Sequence, residues 1–438
     1  MKASPSRTIT IPHLGRVEGH GGIFVKVVGD EVLEVNMDIH EGSRYYETLL
    51  VGKHFLEVQG IITRVCAICS ANHTVAALTA LENALGVAET PRVHRLRGLL
   101  LLGAAIESHA LHVFALALPD YLGYPSVMAM AADHPEEVAF ALRLKQLGNR
   151  IQTLVGGRPV HPINTLVGGF GRLPGHHDLA ALRNELTAAV DPLLRFVDLA
   201  AGIEIGAWAA QPALYLALRP SAGDYGFRGD SIRTSSGDEF PVASYRDVVR
   251  EFAVGHSQAK HAALASGESY MVGALARLAL WGDQLAGQAR GVFERLFPDG
   301  VVDNILLNNW AQLVEIVHCL ERAVEVCDLL LAMPEASREM AAYEVGAGRG
   351  AAALEAPRGA LFHEYEIDRD GRVAAANVIT PTAQNLAGAE RTLRRAAENR
   401  LAEVPPRDDA GLRLDLEMVA RAYDPCISCS VHLARINR

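Results

Sequence analysis

Cysteine is scarce in this chain, with six in 438 residues. So few in so long a sequence do not make a disulfide framework. Basic residues form no block, and the formal net charge is −10, which argues against nucleic acid or a polyanionic surface as a partner. No apolar run is clean enough for a bilayer. The longest, residues 96–118, holds Arg97, Glu107, His109 and His112, and four polar groups in lipid are costly, so a buried core helix is expected and no direct membrane insertion. The first twenty residues carry no apolar stretch of secretory-signal length. No Gly-rich dinucleotide fingerprint follows a strand-like run, so any flavin or NAD(P) site belongs on another subunit. These absences together point to a soluble, cytoplasmic chain.

What is present is apolar mass and helical periodicity. Hydrophobic residues are 50% of the chain, enough for a large core. Residues 23–28 and 32–37 read as strands around a turn at Gly29–Asp30. Ala- and Leu-rich helical patterns then begin near Thr74 and cover 92–118, 135–154, 177–203, 245–265, 270–297 and 301–333. Residues 211–241 are rich in Gly, Ser and Asp and are predicted to be loop with short strands. A second hairpin is predicted at 360–367 and 373–380, followed by helices at 385–400 and 408–423. The fold class that follows is α+β, predominantly α, with a large central helical bundle and peripheral β-hairpins. It forms one domain over 1–432.

Four of the six cysteines stand in two pairs 360 positions apart, Cys66–Ala67–Ile68–Cys69 and Cys426–Ile427–Ser428–Cys429. Thiolates are soft ligands, and four converging on one point suit nickel, iron or zinc. Structural zinc modules keep their ligands close in sequence, whereas these pairs bracket a whole helical protein, which favours a functional site in the core. The first pair lies in Arg64–Val65–Cys66–Ala67–Ile68–Cys69–Ser70–Ala71–Asn72–His73. The second lies in Asp424–Pro425–Cys426–Ile427–Ser428–Cys429–Ser430–Val431–His432. Around them stand Arg16–Val17–Glu18–Gly19–His20, Glu41–Gly42–Ser43–Arg44–Tyr45–Tyr46–Glu47, Glu355–Ala356–Pro357–Arg358–Gly359 and Thr380–Pro381–Thr382–Ala383–Gln384–Asn385.

With these motifs in this order, from Arg16 to His432, the chain resembles the large subunit of a nickel–iron hydrogenase. Its compact length and the Ser428–Cys429–Ser430–Val431–His432 ending are similar to the cytoplasmic NAD(P)-linked, bidirectional and sulfhydrogenase alpha-subunit branch. The deazaflavin-linked and heterodisulfide-linked branches are close competitors for the same resemblance. The resemblance implies reversible heterolytic cleavage of H2. It implies that Cys66 and Cys426 are terminal ligands of nickel, and that Cys69 and Cys429 bridge nickel to an iron carrying carbon monoxide and two cyanides. Cys426 would accept a proton and Glu18 would take it onward. Arg358 would lie over the open side of the metals beside Asp424, while Arg358, Thr380, Pro381 and Thr382 would surround the cyanides. His73 would support Cys69. Glu47, His432 and the carbonyl of Val378 would hold a separate magnesium or iron ion.

The chemistry is coherent on elementary grounds. Dihydrogen offers no charge, dipole or functional group to grip, so splitting it needs a Lewis acid and a nearby base. A coordinated thiolate can be that base, with a carboxylate as relay. Arg358 cannot lose its proton and so supplies a fixed positive field. Taken singly, several of these residues also have bland readings. Glu18 pairs as well with Arg16, Glu47 with Arg44 at i, i+3, and Asp424 before Pro425 terminates a helix.

Only Cys319 and Cys327 remain, too few for a four-cysteine iron–sulfur cluster, and their helical setting suggests buried small hydrophobes. An iron–sulfur small subunit is therefore expected as partner, with diaphorase-type flavin and NAD(P) subunits beyond it. The resemblance adds nickel-insertion proteins and a maturation protease that removes residues 433–438. Two departures from the family stand out. Ala67 replaces a common glycine, and Ser108 stands where some members carry aspartate, with Glu107 as a partial substitute. Rival readings are a metal-free scaffold like the complex I quinone-site subunit, which has no use for four cysteines, and a structural zinc protein.

Overall fold

The computed structural model describes residues 6–29, 31–220 and 225–431. Asp30, His432 and the 433–438 tail lie outside the described residues. The chain opens with a three-stranded antiparallel sheet, β1 (Ser6–Ile11), β2 (Gly21–Val28) and β3 (Glu31–Ile39), in the order β1-β2-β3. Inward Ile9, Ile11, Ile23, Val25, Val27, Val35, Met37 and Ile39 alternate along it and are buried, as period-two patterning requires.

The helical body follows as α1 (Ser70–Leu85), α2 (Pro91–Ala110), α3 (Pro135–Gly156), α4 (His176–Ala201) and later α5 (Asn308–Leu331). Helix α2 packs against both α3 and α5, and α5 also packs on α4. The α2–α3 crossing is close because both helices present glycine there. A Cβ on Gly103 would stand 2.7 Å from Ile151 Cβ, and one on Gly148 would stand 2.6 Å from the Gly103 carbonyl oxygen. Thr90 caps α2 by accepting from Val93 N, with Pro91 in its first turn. Helix α2 continues through a wider π-type turn, Leu111–Ala117, into Leu118–Tyr121. This apolar helix is long enough to cross a membrane by length and composition, yet 83% of its most apolar window is buried inside the protein, as a core helix.

Two predicted helices are not formed as such. Residues 245–265 give one helical turn, Tyr245–Val248, and then an antiparallel hairpin of β4 (Val249–Phe252) and β5 (His261–Leu264). The run Val248–Val249 favours extended backbone, and Gly255–His256–Ser257 breaks the periodicity. Residues 270–297 split into a short strand at Tyr270–Met271 and helices at Ala274–Trp281 and Gly287–Leu296. Gly273 and Gly287, at φ +123° and +59°, do the splitting. Helix α5 begins seven residues later than predicted, after Asn304 caps a short turn by accepting from Leu306 N.

The last third forms β6 (Gly348–Ala356), β7 (Gly359–Ile367) and β8 (Val373–Ile379), an antiparallel sheet packed on α1. Helices α6 (Pro381–Leu401) and α7 (Asp409–Ala422) follow. The main apolar core takes in side chains from Ile9 to Val431, including all six cysteines. The described chain is thus a mixed α+β fold with helices in the majority, about half helix and a fifth strand.

Candidate metal centre

Both cysteine pairs sit at abrupt changes of backbone. After the turn Thr63–Val65, Cys66 is extended and Cys69 immediately precedes α1, so the Cys69 N–H donates to Cys66 Sγ at 3.3 Å. At the other end α7 stops, and Asp424 takes a left-handed φ of +49°, a conformation that costs about 1–3 kcal/mol in a non-glycine residue and clusters at functional sites. That turn directs Cys426 inward, and the single helical turn Ile427–Ser430 carries Cys429.

The four sulfurs converge. Cys66 Sγ and Cys426 Sγ are 3.2 Å apart, Cys69 Sγ and Cys426 Sγ 3.9 Å, and Cys426 Sγ and Cys429 Sγ 2.7 Å. All four lie within 4.8 Å of one another and all are buried free thiols. Burial pushes the Cys426 and Cys429 thiols well up, while hydrogen bonds from the other three sulfurs, with Arg358 adding charge, pull Cys69 well down. Four thiolates cannot coexist this closely without a cation, and a cation is what such a donor set selects.

Arg358, in the β6–β7 turn, spans the site. Its Nη1 is 3.4 Å from Cys69 Sγ and 3.2 Å from Ser108 Oγ. Its Nε donates to the Asp424 carbonyl at 2.8 Å and its Nη2 to Asp424 Oδ1 at 3.0 Å. Gln312 Nε2 donates to the other Asp424 oxygen at 3.0 Å. Asp424 therefore does more than end a helix. It fixes the guanidinium by backbone and carboxylate together.

Glu18 is keyed to the second cysteine pair by backbone and side chain. Ile427 N donates to the Glu18 carbonyl at 2.9 Å, and Ser428 N donates to Glu18 Oε2 at 3.0 Å. Ser428 Oγ donates to Glu18 Oε1, and Cys426 Sγ is 3.2 Å from Glu18 Oε2. Arg16 turns instead to Asp120 and to the Leu116 carbonyl, at 2.9 Å, so the Arg16–Glu18 surface pair is not formed.

Thr382 Oγ1 accepts from Cys426 N at 3.0 Å. Pro381 is the first residue of α6, and the buried Thr380 hydroxyl before it has no partner among the described residues. His73 Nδ1 is 3.0 Å from His363 Nε2, whose ring reaches Tyr365 OH at 2.8 Å. Burial drives His73 down to about 4. Glu47 is buried and does not pair with Arg44, which bonds Glu41 at 3.2 Å. Glu47 Oε1 accepts from Val378 N at 2.7 Å and from Asn377 Nδ2 at 3.2 Å, which puts two of the three residues expected around a second ion side by side. The third, His432, is outside the described residues.

Glu107 does not stand in for the missing aspartate. It turns to Lys145 Nζ at 2.8 Å, while Ser108 itself meets Arg358. Ser108, Gln312, Ser428 and His363 are the site residues that sequence reasoning passed over. Ser428 had a signal, its place inside the second pair. Gln312 and His363 had none, because tertiary packing alone brings them in. Cys319 and Cys327 are buried in α5, and burial raises both thiols, Cys327 to about 12, as fits inert core residues.

Comparison with known proteins agrees with this geometry. The profile of the nickel-dependent hydrogenase family matches residues 44–147 and 303–432. Sulfhydrogenase 1 subunit alpha of Pyrococcus furiosus is 41% identical over 98% of each chain. The NAD-reducing hydrogenase HoxS subunit beta of Cupriavidus necator is 27% identical, covering 98% of this chain and 95% of its own. A solved NAD+-reducing [NiFe]-hydrogenase in the H2-reduced state superposes with a TM-score of 0.86 at 28% identity, over 98% of this chain and all of that one.

The chain belongs to the nickel-dependent hydrogenases. It is a catalytic subunit, and its reaction is the heterolytic cleavage of dihydrogen at a nickel–iron centre.

Proposed function

We propose that Cys66, Cys69, Cys426 and Cys429 together would hold a nickel–iron centre, its iron bearing carbon monoxide and cyanide. The convergence of four buried sulfurs under a fixed guanidinium carries this reading. The residues fit the group. The donor set is all thiolate, and the buried Thr380 hydroxyl, two positions before Thr382 and without a partner among the described residues, suits an acceptor such as cyanide nitrogen. When bound, the centre supplies the Lewis acidity that polarises H2 and the redox capacity that takes up its electrons. Cys426 Sγ then receives the proton and passes it across 3.2 Å to Glu18 Oε2, whose carboxylate Ser428 holds through N–H and O–H. Arg358 keeps its charge throughout and orients what lies over Cys69. Glu47 and Val378, with His432, are assigned to a magnesium or iron ion.

The same reading extends to partners. Two inert cysteines cannot build a cluster, so electrons leave through an iron–sulfur small subunit. The name of one relative, an NAD-reducing hydrogenase, supports NAD(P) as acceptor; flavin and NAD(P) subunits in a cytoplasmic complex, loaded by nickel-insertion proteins, complete the proposal. Infrared spectra of the purified complex test the centre directly. Bands of metal-bound carbon monoxide and cyanide, with nickel and iron by elemental analysis, are expected; zinc alone with no such bands overturns the reading.

A further inference from the structure

A second constellation of metal-ligating side chains lies outside both sites described above and shares no residue with either. His256, in the loop between β4 and β5, His261, the first residue of β5, and Glu390, on α6, each direct one ligand atom to a common region, all within 4.8 Å of one another. His256 Nε2 is 2.7 Å from Glu390 Oε1, and His261 Nε2 is 3.4 Å from the same oxygen. The two imidazoles meet edge to face, centroids 5.7 Å apart at 84°. Ligands bound at about 2.0–2.1 Å around tetrahedral zinc stand about 3.3 Å from each other, so the spacing needs little adjustment.

The second observation is His261 itself. It is 1% exposed; among the described residues its Nδ1 has no hydrogen-bond partner, and its Nε2 has only the long 3.4 Å contact with Glu390 Oε1. Burying an imidazole so poorly partnered is costly, and a cation at Nε2 would engage that nitrogen fully where the long contact with Glu390 does not. His256 and Glu390 keep 27% and 19% of their side chains exposed, which leaves an entry path and room for water at a fourth position.

We propose that His256, His261 and Glu390 form a binding site for a divalent transition-metal ion of the zinc class, with water completing the shell. Two imidazoles and one carboxylate are a donor set that suits zinc and excludes magnesium or calcium as preferred ion. The ion's place in the fold gives it a structural task. Glu390 Oε1 also accepts from Met37 N of β3 at 2.9 Å, and Gln258 N in the His256 loop donates to the Ile39 carbonyl at 3.1 Å. One ion thus ties the β4–β5 hairpin to α6 and to the edge of β3. Helix α6 is the element whose first turn, at Thr382, supports Cys426.

The test uses the purified complex with its nickel site loaded, so that the four cysteines are already engaged. After chelator treatment and removal of the chelator, zinc(II) is titrated in against a chromophoric competitor. One zinc per chain beyond the metals of the catalytic centre and the ion assigned to Glu47 is expected, together with a rise in the thermal midpoint. His256→Gln, at the more exposed position, and Glu390→Gln are each expected to weaken that uptake by at least about tenfold. Cobalt(II) in place of zinc should give visible d–d absorption without the sulfur-to-metal charge-transfer band of thiolate ligation. Absence of the extra equivalent in the wild-type complex overturns the proposal and leaves an ordinary histidine–carboxylate pair. So do unchanged uptake in both variants and a sulfur charge-transfer band. The catalytic assignment is independent of this result, since infrared bands of the nickel–iron centre report on it separately.

Discussion

Glu18 Oε2 and Cys426 Sγ, 408 positions apart in sequence, stand 3.2 Å apart in space. The contact is held from both sides, by the bridge of Glu18 backbone to Cys426–Ile427 and by Ser428 on the carboxylate. A thiol and a carboxylate are therefore placed in contact, as the proposed proton path requires. Glu18→Gln keeps the shape and removes the proton acceptor. Hydrogen–deuterium exchange and H2 oxidation should both fall by about 10²–10⁴-fold, with nickel and iron contents and infrared bands unchanged. Wild-type exchange rates in a fully loaded Glu18→Gln complex would remove Glu18 from the proton path.

Arg358 is held by three donors' worth of geometry rather than by charge alone. Arg358→Leu should lose about 10²–10³-fold in turnover, as removal of a preorganised electrostatic group does. Arg358→Lys keeps the charge but cannot reach the Asp424 carbonyl, Asp424 Oδ1 and Ser108 together, so it should fall between wild type and leucine. Equal rates for lysine and arginine would show that geometry is irrelevant there.

Gly19 follows Glu18 at φ +89°, and a Cβ there would lie 2.7 Å from Ile427 Cβ. Gly19→Ala should cost about 1–3 kcal/mol of stability and slow turnover, because the Glu18 loop has to lift away from Ser428. Thermal denaturation together with an exchange assay decides it. A variant as stable and as active as wild type refutes the close fit.

Glu89 offers a prediction on pH. Burial pushes its carboxyl up, but the hydrogen bond with His94 and the charges of Arg228 and Arg97 outweigh this and hold it at about 2, below the ordinary 4.5. A depressed folded-state value means stabilisation that is present above the unfolded value and lost as pH falls from 4.5 toward 2. The contribution at neutral pH is at most about 3.5 kcal/mol at ~1.4 kcal/mol per pH unit. Glu89→Gln should therefore flatten the acid limb of the stability curve in this window. An acid limb as steep as that of wild type in urea denaturation at graded pH would refute it.

What could be foreseen from sequence followed residue chemistry. The paired cysteines announce a metal site because thiolates at that spacing have few other uses, and Gly29 or Asp368–Gly371 announce turns because few residues tolerate those angles. Long amphipathic helices such as α3, α4 and α5 declare themselves through repeated apolar spacing. Residues 245–265 did not, since Ala and Val in a short apolar run satisfy a helix and a hairpin equally, and pairing between β4 and β5 decided the matter. Gln312 and His363 are invisible for a different reason. Their roles exist only because α5 and β7 pack where they do, and a glutamine or histidine in such an element looks like any other. Glu107 was misread by proximity in sequence, where the helix turns it toward Lys145 and its neighbour Ser108 toward Arg358.

The distance between the two cysteine pairs along the chain has a consequence for how the centre comes into being. No local folding event can create it, because a loop of 360 residues must close first. A ribosome has to release nearly all of the polypeptide before Cys426 can approach Cys66. Until that moment the two halves of the site cannot meet. The segment from Asp424 to Val431, buried in the finished fold, acts as the bolt that is shot last.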